Sequence, residues 1–205
     1  MLRNMSEEKM FTSVRMVFLS NLLESKGILD LLDALAILQQ RDCPFVCDVV
    51  GAETAEMNMD RLHEEIDRRK LDGVVCYKGC LYGEDKSQVL RTADLFVFPT
   101  YYSNECFPLV LLEAMAQGLP CISTVEGAIA DIIDDGRTGF LCEKKNPEDL
   151  ANKIEILLND EALRKQMGVE GRKKYEREYT LERFEQRFVQ CLKSVLSDVE
   201  RDVEA

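Results

Sequence analysis

Short apolar runs alternate with amphipathic segments along this chain, and that alternation restricts the fold more than any other feature. Residues 14–19 (VRMVFL), 45–50 (FVCDVV), 74–77 (VVCY) and 95–98 (LFVF) are compact runs that read as strands. Residues 120–124 (PCIST) and 140–142 (FLC) complete the set. Between them the spacing turns helical. Ile28, Leu31, Leu32, Leu35 and Leu38 form one face of a helix over residues 27–40. Residues 59–71 read as a charged surface helix and 85–92 as a short one. Residues 108–117 start on Pro108 and stop before Gly118, which suits a helix at both ends. The remainder is helical over 147–158, 161–175 and 181–197, with Asn159 ending the first and Thr180 capping the last. Five strand–helix repeats imply parallel βαβ units with right-handed crossovers. The expected fold is therefore α/β, a doubly wound parallel sheet of about six strands flanked by helices, with extra C-terminal helices. Residues 1–13 read as a flexible leader, 14–197 as a single domain and 198–205 as a frayed tail.

The chain has 205 residues, 46% apolar and 31% charged, enough for one substantial core. No run approaches the roughly 18–20 apolar residues that a membrane span needs. The first ten residues carry both charge signs and no apolar h-region, so no secretory signal is read there. The net charge of −12 is spread over both halves. That argues against nucleic acid, which requires a basic face, but allows a local basic pocket for a small phosphate. Eight cysteines include two C-x₃-C pairs, Cys43/Cys47 and Cys76/Cys80, and the only histidine is His63. They read as small core residues of a protein in a reducing cytoplasm, not as zinc ligands or disulfides. Cys47, Cys76, Cys121 and Cys142 fall inside the strand-like runs. His63, Arg68–Arg69 and Lys144–Lys145 read as solvated surface, and Asp134-Asp135-Gly136 as a turn.

In a doubly wound sheet, ligands bind outside the carboxyl ends of the strands. The segments to inspect are 20–27, 51–57, 78–85, 100–108 and 125–135. The densest is 100–126 (TYYSNECFPLVLLEAMAQGLPCISTVE). Glu105 lies in a loop, and Glu113 lies two turns into the helix that follows. The first N–H groups of that helix, Leu109 and Val110, would face the crevice and favour an anion. Carboxylates beside an anion site suit the hydroxyls of a sugar or ribose, since they would repel phosphate. Tyr101 and Tyr102 read as packing residues, with a place lining a sugar pocket as the alternative. A receiver-like signalling domain would need an Asp at a strand end. The residues after the strands are Ser20, Gly51, Lys78, Pro99 and Val125.

The E-x₇-E at Glu105/Glu113, continued as E-A-M-A-x-G-x-P to Pro120, resembles the retaining glycosyltransferases of family 4, which have the GT-B fold. The resemblance extends to SNLLESKG (20–27), DLFVFPT (94–100), DIIDDGRTGFL (131–141) and the helix at 146–158, and covers about residues 14–195. It implies a Rossmann-like domain binding a nucleotide-sugar donor, either a UDP- or a GDP-sugar. By the same resemblance, Glu113 would bind ribose hydroxyls and Glu105 the donor sugar. Lys26 would neutralise the diphosphate together with the helix amides of Leu109 and Val110, and Asn21 would contact the donor. Tyr77, Lys78 and Gly79 would hold the base. Lys26 and Glu105 are thus the catalytic candidates, and no metal or other cofactor is expected. The pathway implied is assembly of capsule, lipopolysaccharide or another cell-surface polysaccharide, by hexosyl transfer.

The sequence departs from the family pattern in four ways. Ser20-Asn21 stands where Gly-Arg is common, which removes a cation. Pro108 stands where glycine is frequent, which removes an N–H. Gly127-Ala128 replaces Gly-Gly. The fourth departure is length: a GT-B enzyme has two such domains, and this chain corresponds to the C-terminal, donor-binding one. The expectation is an excised domain or a split subunit. It would be inactive alone and partnered by an N-terminal acceptor domain, with peripheral membrane association through the full enzyme. The segment 181–197 resembles the helix that crosses back to that first domain. A non-catalytic binding or assembly module that pairs with another chain is the alternative.

Overall fold

The computed structural model describes residues 13–203, with side chains to residue 196. The expected leader (1–13) falls almost wholly outside the described residues, as do 204–205. The described part holds six strands: β1 (Val14–Leu19), β2 (Phe45–Val50), β3 (Val75–Tyr77), β4 (Leu95–Phe98), β5 (Cys121–Thr124) and β6 (Gly139–Cys142). All pairings are parallel and the order is β3-β2-β1-β4-β5-β6. The chain winds outward from β1 to β3 and then returns to lay β4 on the other side of β1. That reversal leaves a crevice above β1 and β4, whose register pairs Met16 with Leu95 and Val17 with Phe96.

The helices are α1 (Ile28–Gln40), α2 (Met59–Arg68), α3 (Gly83–Thr92), α4 (Leu109–Ala116), α5 (Ile129–Ile132), α6 (Pro147–Asn159), α7 (Glu161–Glu178) and α8 (Leu181–Val203). The apolar face of α1, from Ile28 to Leu38, is fully buried against the sheet. Capping follows the sequence: Asn146, Asp160 and Thr180 each accept a backbone N–H three residues on. The central core packs Phe18, Phe96 and Phe98 with tilted rings, the Phe18 and Phe98 centroids 6.3 Å apart.

Several expectations need correction. Cys47, Cys121 and Cys142 are buried as expected, but Cys76 is exposed. Its strand β3 lies at the sheet edge, where the far side is uncovered. Arg69 is not a solvated charge. Its side chain is 7% exposed and pairs with Asp33 and Glu65. β2 is not wholly apolar: buried Asp48 pairs with Arg15 (2.9 Å) and Lys78 (3.4 Å). The charged helix expected over 59–71 ends at Arg68, α5 is an additional short turn, and α8 continues to Val203.

Candidate functional site at the carboxyl ends of the strands

The loop after β1 closes with a 3₁₀ turn, Glu24–Lys26, that carries Lys26 to the mouth of the crevice. Gly27 follows at φ +82°, and a Cβ there would lie 2.1 Å from the Pro99 carbonyl oxygen. Only glycine lets these two backbones approach so closely. The Tyr101 N–H (2.8 Å) and the Thr100 hydroxyl (3.3 Å) both donate to the Ser25 carbonyl. The loops after β1 and β4 are therefore tied together before any ligand arrives.

Between them Lys26 Nζ meets Glu105 Oε2 at 2.6 Å, with side chains 14% and 11% exposed. The ammonium also stands over the Tyr102 ring, 4.4 Å from its centroid. Tyr102 is thus a seat for the cation, and Tyr101 lies under Lys145 at 4.4 Å. The Glu105 loop is held from the other side by Gly127, at φ +51°, where a Cβ would sit 1.8 Å from the Glu105 carbonyl oxygen. The Ala128 N–H donates to the Cys106 carbonyl at 2.9 Å. Of the Gly127-Ala128 pair, the first position is the one this packing reserves for glycine.

The loop carrying Glu105 runs directly into α4, whose N-cap is Pro108 with no side-chain capping bond. Among the described residues, nothing accepts from the N–H groups of Leu109 and Val110. About one turn on, Glu113 Oε1 accepts from Lys86 Nζ at 2.8 Å. Its Oε2 is buried with no hydrogen-bond partner. A cleft of about 490 Å³ opens beside the pair, lined among others by Gly83, Gln117, Tyr175 and Tyr179. Lys86 was not singled out by sequence reasoning. It belongs to no motif, and only tertiary packing of α3 against α4 brings it to Glu113.

The other expected residues lie further along the same edge of the sheet. Asn21, at the exit of β1, is exposed and its side chain bonds to no described residue. Tyr77 donates its hydroxyl to the Gly51 carbonyl at 2.8 Å, and burial pushes its pKa up. Lys78 is exposed, and its ammonium is held above the ordinary lysine value by the neighbouring Cys76 thiol and by Asp48. Gly79 turns at φ +74°, and its carbonyl accepts the Gly51 N–H at 2.9 Å. Lys26, Glu105, Leu109 and Val110 are thus gathered over β1 and β4. Glu113 stands beside them with Lys86, and Tyr77–Gly79 flank them over β3, two strands away.

A family model described as glycosyl transferases group 1 matches residues 6–174. The chain belongs to that family. A capsular polysaccharide biosynthesis glycosyltransferase, CapM of Staphylococcus aureus, is 32% identical over 164 residues, covering 80% of this chain and 41% of that protein. The C-terminal domain of the glycosyl transferase group 1 protein LpcC from Francisella tularensis superposes with a TM-score of 0.73 at 24% identity, over 82% of this chain and 87% of that one. HepE of Anabaena, solved with UDP and glucose, gives 0.78 at 23% identity, over 93% of this chain and 51% of that one. These structural likenesses establish the GT-B C-terminal fold. The chain spans 41% of the length of CapM and about half of HepE.

In this group 1 glycosyltransferase chain Asn21 brings no charge to the crevice. Lys26 is the one cation carried by the described loops after β1 and β4, where Glu105 engages it, while Lys145 reaches in over Tyr101 from outside them. Among the described residues no group of three or more His, Cys, Asp or Glu side chains could hold a metal ion. No helix described is long and apolar enough to cross a membrane.

Proposed function

We propose that this chain is the donor-binding half of a retaining hexosyltransferase acting in the cytoplasm on a UDP- or GDP-sugar, in cell-surface polysaccharide assembly. One observation carries this reading. A shielded ammonium paired to a carboxylate leads directly into a helix whose first N–H groups have no acceptor. That is a receptor for a small anion attached to a hydroxyl-bearing ring. HepE, with UDP and glucose bound, shares the fold and supports a nucleotide-sugar as the ligand.

In this reading Lys26 turns from Glu105 toward the diphosphate and Glu105 accepts hydroxyls of the sugar. Negative charge builds on the diphosphate as the sugar–phosphate bond breaks. Lys26 and the amides of Leu109 and Val110 are already in place to meet it, which lowers the barrier. Glu113 Oε2 takes a ribose hydroxyl, and Tyr77, Lys78 and Gly79 contact the base, with Asn21 as a neutral donor. This charge balance calls on no metal. Transfer requires an acceptor domain, so the isolated chain is expected to turn over no sugar.

Calorimetric titration with UDP, GDP and their sugars tests the reading, with Glu113→Ala as control. The expected result is submillimolar binding of one nucleotide, weakened in the variant. Absence of binding at millimolar nucleotide would refute it. With the cation missing at Asn21, that result would leave the non-catalytic assembly module as the better account.

A further inference from the structure

Lys86 lies outside the strand-end loops, in the first turn of α3, yet its ammonium is 2.8 Å from Glu113 Oε1. Glu113 Oε2 is meanwhile buried and bare. A carboxylate with one buried, unpaired oxygen is costly, and a free glutamate would swing outward to hydrate both. Lys86 blocks that escape by fixing one oxygen and so aiming the other. The pair is 27% and 37% exposed, so its contribution to folding is small. Its geometric effect on the bare oxygen is what remains.

We propose that Lys86 is a positioning residue for nucleotide recognition: it holds Glu113 so that Oε2 accepts a ribose hydroxyl. This rests on the reading of Glu113 as the ribose acceptor. It also links two parts of the ligand site. α3 follows the end of β3 and the turn that together carry Tyr77–Gly79, so Lys86 joins the base-binding segment to the ribose carboxylate through one helix.

The test measures, by calorimetry on the full chain, affinities for UDP and 2′,3′-dideoxy-UDP, and for the GDP pair. Wild type is expected to prefer the ribose form by about 10-fold or more. Lys86→Met should reduce that preference to near unity with an unchanged melting temperature, and Lys86→Arg should keep most of it. A merely structural ion pair would not move the ribose-to-dideoxy ratio. If Glu113→Gln abolishes the preference and Lys86→Met preserves it, the positioning role is refuted while the ribose reading stands. If wild type itself shows no preference, both are refuted.

Discussion

Around α4 the unsatisfied groups are polar: the amides of Leu109 and Val110, without acceptors among the described residues, and Glu113 Oε2, buried without a donor. Along α8 they are apolar. Every described residue from 181 to 196 is exposed, including Leu181, Phe184, Phe188, Leu192 and Val195. The crevice is rigidly framed, with Gly27 and Gly127 letting backbones touch and the loop carbonyls tied by hydrogen bonds. The first turns of the helix meet the fold across an apolar cavity of about 840 Å³ that Phe184 and Phe188 share with Phe107, Leu109 and Leu112. The two surfaces therefore ask for different completions. The crevice presents polar groups suited to a small anion, and the described part of the helix presents exposed apolar side chains. In the proposed function the first need is met by a nucleotide-sugar donor.

Substitutions should separate the two regions. The largest effect is expected from Lys26→Met, which strands shielded Glu105. Chemical denaturation should show a loss of about 3 kcal/mol, and nucleotide affinity should fall at least about 10-fold. Adding Glu105→Gln should recover much of the stability and none of the affinity, because the anion still lacks its cation. Gly127→Ala comes next. The new Cβ meets the Glu105 carbonyl at positive φ, so about 2 kcal/mol should be lost in the same assay. A smaller effect is expected from Glu113→Gln, with nucleotide affinity down about 10-fold and stability unchanged to within about 0.5 kcal/mol.

The contrast is sharpest on α8. Phe184→Asp with Phe188→Asp should alter stability by less than about 0.5 kcal/mol and leave nucleotide affinity untouched. Loss of binding in that variant would break the distinction between the regions. Thiol labelling gives a comparison without mutation. Cys106, beside Glu105, and Cys191, on α8, are both exposed. Saturating nucleotide should slow maleimide labelling of Cys106 and leave Cys191 unchanged. Cys142 should stay unlabelled at pH 8, since burial pushes its thiol up to about 12. Its folded value lies above the ordinary 9.0, so its contribution to stability is present below pH 9 and is lost as pH climbs toward 12.

The sheet was legible because its strands are local apolar runs and its crossovers obey one handedness. The E-x₇-E segment was legible because loop, proline and helix sit together in sequence. The residues that escaped are fixed by partners distant along the chain. Lys86 needs α4 to become part of the site, and Arg69 needs Asp33, 36 positions away, to become buried. Asp48 hides in an apolar run because Arg15 and Lys78 flank it from neighbouring segments. Cys76 is exposed for a related reason: its apolar run does not reveal that β3 is an edge with one side uncovered. The need for glycine at 27 and 127 was equally invisible, since the atoms they make way for, the carbonyls of Pro99 and Glu105, belong to other loops.

The central claim is that the nucleotide sits over β1 and β4 at the start of α4. Amide chemical shifts of the ¹⁵N-labelled chain, followed during titration with UDP and with GDP, address it directly. With one of the two nucleotides, the largest shifts should fall on Leu109, Val110 and Glu105, with smaller ones at Gly79 and none along residues 184–196. Shifts confined to α8, or an unperturbed Leu109–Val110 pair at saturation, would contradict it.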